Sequence, residues 1–237
     1  MPISRPIWHE AWCDLGAGVI QIQTLLLLLG TGMAQAADMT VLHYLDQDPG
    51  DPPYATRILV TADFLRMDGG DDAGDFVLLD RQQGKVMNVM RDARMAMEFV
   101  PAALPPRPAS WRSRLLVQPP GPQGQTYRLW VNGTVCSEGR VDKRLAADAA
   151  RALAQLKTVL AATQYRVWRD TSAEFQHDCD LANQVWDATG VPRLGLPLEE
   201  REASGRSRSL VSHTQRPFDP VLFRLPDNFG VQQAPGL

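Results

Sequence analysis

The stretch YRLWVNGTVC, residues 127–136, gives the clearest signal of local structure in this 237-residue sequence. Runs rich in β-branched and aromatic residues lie on both sides of Asn132-Gly133. Asn-Gly is the preferred pair for a two-residue type I′ turn, because both turn positions need a positive φ. The stretch therefore predicts a β-hairpin in the middle of the chain.

A long helix is predicted shortly after this hairpin. Its apolar residues recur at steps of four, four, three and four: Leu145, Ala149, Leu153, Leu156 and Leu160. This spacing places them on one face of an α-helix. With Asp142 as a capping residue, we expect the helix to run from about Lys143 to Thr163. A shorter helix is expected over residues 180–188, stopped by Gly190 and Pro192.

Short strands joined by tight turns are predicted before the hairpin. The first covers Thr40–Leu45, where alternation puts Val41, His43 and Leu45 on one face. Further apolar or alternating runs cover residues 56–67, 76–79, 86–90 and 94–100. Successive short strands with turns of this kind favour an antiparallel meander.

Prolines punctuate residues 101–125, which we predict to be a long extended loop with room for one edge strand around Trp111–Val117. The tail from Gly195 to Phe229 returns to strand-like runs. Leu210-Val211 and residues 221–223 are expected to be its strand cores. The chain is therefore predicted to alternate from strands to helix and back to strands.

The start of the chain carries a targeting signal. Leu25–Leu29 lie in a short apolar stretch that is followed by Ala34-Gln35-Ala36. This pattern indicates a secretory signal peptide, and the apolar stretch is shorter than the roughly 20 residues that span a membrane. We predict a signal peptide over residues 1–36 and a single periplasmic α+β domain over 37–237. The alternative is an uncleaved leader, which would tether the same domain to the membrane.

Cleavage of the leader would remove Cys13 and leave two cysteines, Cys136 and Cys179. An even number of cysteines in an oxidising compartment favours a disulfide. The loop that this bond would close contributes about 4 kcal/mol on chain entropy alone. The alternative is a metal or redox site around residues 177–180. Neither C-x-x-C nor H-x-x-x-H spacing occurs there, so we predict no metal site.

The overall charge excludes one class of partner. Lys and Arg number 24 against 27 for Asp and Glu, which gives a formal net charge of −3. This balance lacks the basic excess that binds the phosphate backbone, so we expect no nucleic-acid partner. The oligomeric state is left open by the sequence.

Catalytic and cofactor motifs are not recognisable in the sequence. Residues 205–209, GRSRS, lack the second glycine of a nucleophile elbow, and Ser212-His213 is an adjacent pair rather than a triad. The acidic run over residues 68–75 does not have the spacing of a calcium loop and reads as a solvated turn. We therefore predict a protein that is not an enzyme and that has no cofactor. An exported hydrolase is kept as a second alternative.

Several short segments resemble exported bacterial proteins of unknown function grouped as DUF4412. They are residues 58–68, 76–81, 195–197 and 222–226. The order of strands, helix and late strands also resembles the LolA/LolB/LppX superfamily of periplasmic lipoprotein carriers. This resemblance implies an α+β fold in which a curved, unclosed antiparallel β-sheet, a half-barrel, packs on one main helix. It also implies a lipid or lipoprotein ligand. The cysteine pair and the proline-rich loop depart from the carriers.

Methionines are frequent around the predicted strands at residues 86–100, and a methionine-rich wall suits adaptable apolar ligands. Together with the helix stripe and the resemblance, this predicts non-catalytic binding of an apolar or lipid-like ligand between sheet and helix. Arg66 is expected to make a polar contact at the cavity mouth. The full set of expected ligand contacts is Arg66, Met87, Met95, Met97, Leu153 and Leu156. The alternative is an envelope structural or protein-interaction module whose core is simply full.

Overall fold

Residues 38–234 are described by the structure, a computed structural model. The first half of the chain forms β1 (Asp38–Gln47), β2 (Tyr54–Val60), β3 (Phe64–Asp68), β4 (Phe76–Asp80), β5 (Lys85–Met90) and β6 (Met95–Phe99). The second half forms β7 (Ser113–Val117), β8 (Gln125–Val131), β9 (Thr134–Asp142), β10 (Leu196–Glu202), β11 (Ser207–Pro217) and β12 (Gly230–Gln233). The helices are α1 (Ala147–Asp170), α2 (Asp178–Leu181) and α3 (Gly190–Leu194).

The twelve strands of the described residues form one open sheet in the order β12-β6-β5-β4-β3-β2-β1-β11-β10-β9-β8-β7. Neighbouring strands are antiparallel except β12 and β6, which pair in parallel. The sheet is therefore mixed, which corrects the prediction of a purely antiparallel sheet at this one pair. The long pairing of β1 with β11 joins the amino-terminal strands to the carboxyl-terminal ones.

The predicted hairpin is confirmed. Asn132 and Gly133 have φ angles of 49° and 92°, and β8 pairs with β9 across them. The predicted run over residues 56–67 is instead two strands, β2 and β3. The turn between them is closed by Thr61, whose hydroxyl accepts a hydrogen bond from the Phe64 amide at 3.0 Å. The edge strand expected inside the proline-rich loop is β7.

The long helix is present, but it begins and ends later than predicted. Asp142 accepts hydrogen bonds from the amides of Arg144 and Leu145 at 2.7 and 3.1 Å, so it caps a separate turn before the helix. Ala146 has a φ of 41°, and this left-handed residue separates the turn from the start of α1. The helix then continues to Asp170.

The second helical region also differs from the prediction. α2 continues into a π-helical turn, Ala182–Trp186. Gly190 and Pro192 do not stop a helix there, because they lie inside α3. Proline is tolerated in the first turn of a helix, where its missing N–H has no intrahelical partner.

The sheet buries apolar side chains on both faces. On the helix face, which α1 covers, a core cluster joins strand residues to α1: Leu42, Tyr44, Ile58, Val60, Leu65, Leu79, Val86, Ala149, Leu153 and Leu156. On the outer face a second cluster contains Met39, Val41, Leu59, Phe76, Leu78, Val89, Ala96 and Phe223. The predicted face of Val41, His43 and Leu45 is the outer one, where Val41 is buried in the outer cluster and Leu45 is 46% exposed. Leu42 and Tyr44 face α1 instead.

The chain after β11 covers the outer face. The predicted strand over residues 221–223 is instead a 3₁₀ turn, Pro220–Phe223, whose first amide at Val221 is capped by the Asp219 carboxylate at 3.0 Å. Phe223 packs against Phe64, with ring centroids 5.9 Å apart. This tail therefore supplies the apolar cover that the outer face of the sheet needs.

The predicted disulfide is confirmed. Cys136 and Cys179 are joined, with their Cα atoms 4.8 Å apart. The bond links β9 to α2 rather than to the main helix. The predicted signal peptide, residues 1–36, lies outside the described residues. Over residues 38–234, the structure contains no helix with the length and apolar character that crossing a membrane requires.

Candidate functional site

A cavity of about 340 Å³ lies where α1 packs on the helix face of the sheet. We call it the sheet–helix cavity. Its apolar lining comes from Met67, Leu153, Leu156, Pro192 and Pro197. Its polar lining comes from Asp46, Lys157, Glu200, Glu202, Arg206 and Arg208. The lining of the cavity thus combines apolar and charged side chains.

Strand alternation explains why this cavity is charged. In β10, Glu200 and Glu202 line the cavity, whereas Glu199 and Arg201 line a depression on the outer face. Successive side chains of a strand point to opposite faces, so the sequence LPLEERE supplies two carboxylates to the helix face and one acidic and one basic side chain to the outer face. On the opposite wall, α1 contributes Leu153 and Leu156 at helical spacing.

One ion pair is built into the cavity wall. Arg208 donates to both carboxylate oxygens of Asp46, at 2.7 and 2.6 Å, and the Thr56 hydroxyl donates to Asp46 at 2.7 Å. Burial lowers the pKa of Arg208, but the hydrogen bonds and charge of Asp46 outweigh burial and raise that pKa overall. The Arg208 guanidinium also lies 5.0 Å from the ring centre of Tyr44. This pair is satisfied internally.

Glu202 has a different electrostatic environment. Burial and the nearby charge of Glu200 raise the pKa of Glu202, although Lys157 and Arg206 act to lower it. Neither Glu200 nor Glu202 forms an ion pair with any of the residues 38–234. The cavity therefore contains two carboxylates whose charge is not neutralised by direct contact.

Arg66 does not lie at the mouth of this cavity. It is 1% exposed and lies on the outer face, with its guanidinium 4.1 Å from the ring centre of Phe76. Its Nε donates to Asp68 at 2.6 Å, and its Nη1 donates to the Leu222 carbonyl at 2.8 Å. The structure therefore places Arg66 between the sheet and the tail, on the face opposite α1.

The other expected contacts are divided between the two faces. Leu153 and Leu156 line the cavity, together with Met67. Met87 packs against the outer cluster, so it lies on the wrong face for this cavity. Met95 and Met97 alternate with Ala96, which belongs to the outer cluster, and therefore lie on the helix face of β6. Of the expected contacts, the two leucines line the cavity, whereas Arg66, Met87, Met95 and Met97 do not.

Glu200 and Glu202 were not among the expected contacts. The sequence signal that could have indicated them is the pair of glutamates two residues apart in the strand-like run over residues 196–202. Ser212 and His213, the adjacent pair considered for a hydrolase, are successive residues of β11, so their side chains point to opposite faces of the sheet.

Two wider depressions have a different character. One, of about 650 Å³, lies along α1 beside α3, and another, of about 480 Å³, lies on the outer face of β7–β10. The charged side chains that line the first are all basic, Arg81, Lys143, Arg151 and Arg193, and Arg81 donates to Asp148, outside this lining, at 2.7 Å. In the second, Arg140 donates to Glu199 at 2.6 Å. The sheet–helix cavity, with its apolar lining, is the stronger candidate for a binding site.

No protein-family model matches the sequence, and no curated protein matches it. Among solved structures, PNGF-II in the C2 and P21 space groups is similar at a TM-score of 0.34 in each case, with 10% and 11% sequence identity. The match covers 84% of this chain but only 31% and 32% of the PNGF-II chains. The chain thus spans about a third of the length of PNGF-II. The described residues define an α+β protein with an open mixed sheet and one main helix.

Proposed function

We propose that this protein binds a small apolar or amphipathic ligand, without catalysis, in the sheet–helix cavity. The observation that carries the proposal is an apolar lining of Met67, Leu153 and Leu156 beside a charged wall, at the interface of α1 and the sheet. Small-molecule sites are concave, mostly apolar and carry a few polar groups that fix orientation. The cavity combines these properties.

The volume limits the class of ligand. Ligand pockets range over roughly 300–1,000 Å³, and this one holds about 340 Å³. A single short acyl or alkyl chain fits such a space better than a lipoprotein anchor with several chains. Within the lipid-like class expected from the sequence, we therefore propose a single-chain amphiphile.

The proposal includes the shape and the location of the protein. α1 packs against β2, β3, β5, β6 and β10, which supports a sheet that curves around the helix as a half-barrel. The Cys136–Cys179 disulfide is compatible with export to an oxidising compartment such as the periplasm. An exported carrier or sensor of amphiphiles would meet its ligand there.

Uptake of N-phenyl-1-naphthylamine, a neutral apolar fluorophore, tests the proposal directly. The full chain should enhance its fluorescence with saturable binding. Met67→Gln should weaken that binding about tenfold, because it replaces an apolar contact in the cavity with a polar side chain of similar size. Met87→Gln is the matched control, since Met87 is also half-buried but packs on the outer face. Equal losses in the two variants, or no saturable uptake, would contradict the proposal.

A module that binds another protein and no small ligand is the second candidate. One observation favours it: β7 is an edge strand of the sheet, and its Leu116 and Val117 are 38% and 39% exposed. Exposed edge strands are templates for pairing with another chain. Under this alternative, Leu116→Lys would abolish partner binding, and the fluorophore would not bind at all.

A further inference from the structure

With Asp48, which binds Arg206 from outside the lining, the charged wall of the sheet–helix cavity has four carboxylates against three cations: Asp46, Asp48, Glu200 and Glu202 against Lys157, Arg206 and Arg208. Arg208 binds Asp46, Arg206 donates to Asp48 at 2.7 Å, and Lys157 donates to the neutral Asn183 carbonyl at 3.3 Å. The remaining carboxylates, Glu200 and Glu202, have no ion pair with the described residues. The Ser204 hydroxyl donates to the Glu202 carboxylate at a long distance, 3.5 Å.

A third oxygen lies beside these carboxylates. Tyr127 is 2% exposed, and its hydroxyl makes no hydrogen bond of normal geometry with the described residues. In the sheet register, Tyr127 of β8 and Glu200 of β10 both lie opposite Gly139 of β9. Gly139 has no side chain to lie between them, and Glu200 is close enough to Tyr127 to act on the pKa of its hydroxyl. Burial and the Glu200 charge raise the pKa of Tyr127, so its hydroxyl stays protonated.

We propose that the ligand of this cavity carries an organic cation at its polar end, a primary ammonium group above all, and that Glu200 and Glu202 bind it. The inference rests on the proposed function and names its ligand class. Residues two apart in a strand are about 6.6 Å apart along the chain, so a cation between their side chains can contact both carboxylates. A primary ammonium has three N–H donors, so it can donate to both carboxylates at once.

The surroundings of Glu202 support a cation as occupant. Besides Glu200 on its own strand, Glu202 faces Lys157 of α1, Arg206 of the β10–β11 turn and Asp180 of α2. Burial and Glu200, with a smaller effect of Asp180, raise its pKa against the two basic groups. A bound ammonium would relieve the repulsion between the carboxylates. Affinity for the cation should therefore increase as the pH rises through the pKa of Glu202.

Three probes that share a ten-carbon alkyl chain separate the effect of the head group from that of the tail: decylammonium, decanol and decanoate. Each is titrated at about pH 7 against the protein with N-phenyl-1-naphthylamine bound, and displacement of the fluorophore is measured. Decylammonium should bind at least about tenfold more tightly than decanol, and decanoate most weakly. Glu200→Gln and Glu202→Gln should each lower the affinity for decylammonium about tenfold more than they lower the affinity for decanol. Glu199→Gln, on the outer face of the same strand, is the matched control and should change nothing.

The outcomes distinguish this inference from the proposed function. Equal binding of the three probes, or tightest binding of decanoate, would overturn the cation inference and leave an apolar binding site in place. Absence of binding by the fluorophore and by every probe would overturn the proposed function, and the inference with it. The comparison of head groups needs only the unmodified chain, so a poorly folded variant does not weaken the test.

Discussion

Arg66 is a buried charge that other parts of the chain neutralise. Asp68, whose side chain is fully buried, accepts from Arg66 at 2.6 Å and from Arg57 at 2.8 Å. Burial raises the pKa of Asp68, but hydrogen bonds from Arg57, the Gly70 amide and Arg66 outweigh it and hold the pKa below its usual value. The acidic run after β3 thus begins with a structural carboxylate rather than with a ligand for a cation.

Asp68→Asn should be strongly destabilising, by about 3 kcal/mol, because it leaves the buried guanidinium of Arg66 without its counter-charge. Urea unfolding measures the change. Asp72→Asn is the control, since Asp72 pairs with the same Arg57 but is 63% exposed, and it should change stability by less than about 1 kcal/mol. Similar small effects of both substitutions would contradict the role assigned to Asp68.

The same carboxylate predicts sensitivity to acid. The pKa of Asp68 is lower in the folded state than in the unfolded chain, where it is about 3.9. Its contribution to stability is therefore fully present above that value and is lost as the pH falls through the folded-state pKa. In the Asp68→Asn variant, this part of the acid destabilisation should disappear.

Glu202 affects stability in the opposite direction from Asp68. Its pKa is raised in the folded state by burial and by Glu200, so ionised Glu202 destabilises the fold at neutral pH. Glu202→Gln should therefore raise the midpoint of thermal unfolding at about pH 7. The gain should shrink as the pH falls to about 3, well below the unfolded-state pKa of about 4.3, because Glu202 is then protonated in both states. Calorimetry across this pH range measures the difference in unfolding midpoint between the variant and the unmodified protein. A difference that is constant with pH, or a loss of stability in the variant, would contradict the environment assigned to Glu202.

Local sequence patterns predicted the type of each secondary-structure element better than its boundaries. The apolar stripe from Leu145 to Leu160 predicted α1, and Asn132-Gly133 predicted the β8–β9 hairpin, because both depend on neighbouring residues. The start of α1 was misplaced since Asp142 forms its cap-like hydrogen bonds in a separate turn. The 3₁₀ turn Pro220–Phe223 was taken for a strand because apolar content alone does not distinguish the two.

The left-handed Ala146 before α1 offers a direct test of this boundary. Alanine pays about 1–2 kcal/mol for that conformation, whereas glycine adopts it freely. Ala146→Gly should therefore stabilise the protein by about 0.5–1 kcal/mol after the larger backbone entropy of unfolded glycine is included. Ala154→Gly, in the interior of α1, should destabilise by about 1 kcal/mol. If both variants lose stability equally, α1 begins before Ala146.

The disulfide ties α2 to β9, and α2 is too short to be stable alone. Replacing both Cys136 and Cys179 by Ala should lower the free energy of unfolding by up to about 4 kcal/mol, the chain-entropy value for this loop. Amide hydrogen exchange should increase most in α2 and in the π-helical turn that follows it. A change confined to β4–β6, far from the bond in the strand order, would contradict this account.

At the scale of the whole molecule, one sheet separates two apolar layers that have different covers. α1 packs on the helix face, and the tail with Phe223 packs on the outer face. The sequence could not predict this division, because it depends on contacts such as that between Arg66 and Leu222, which are 156 residues apart. For the same reason Arg66 and Met87 were expected in a cavity that lies on the other side of the sheet.

A crystal structure of the full chain with decylammonium bound would show directly where the ligand lies. We expect the alkyl chain to lie against Met67, Leu153 and Leu156, with the ammonium nitrogen within hydrogen-bonding distance of Glu200 or Glu202. An alkyl chain located on the outer face beside Met87, or an empty sheet–helix cavity at saturating probe, would contradict this expectation.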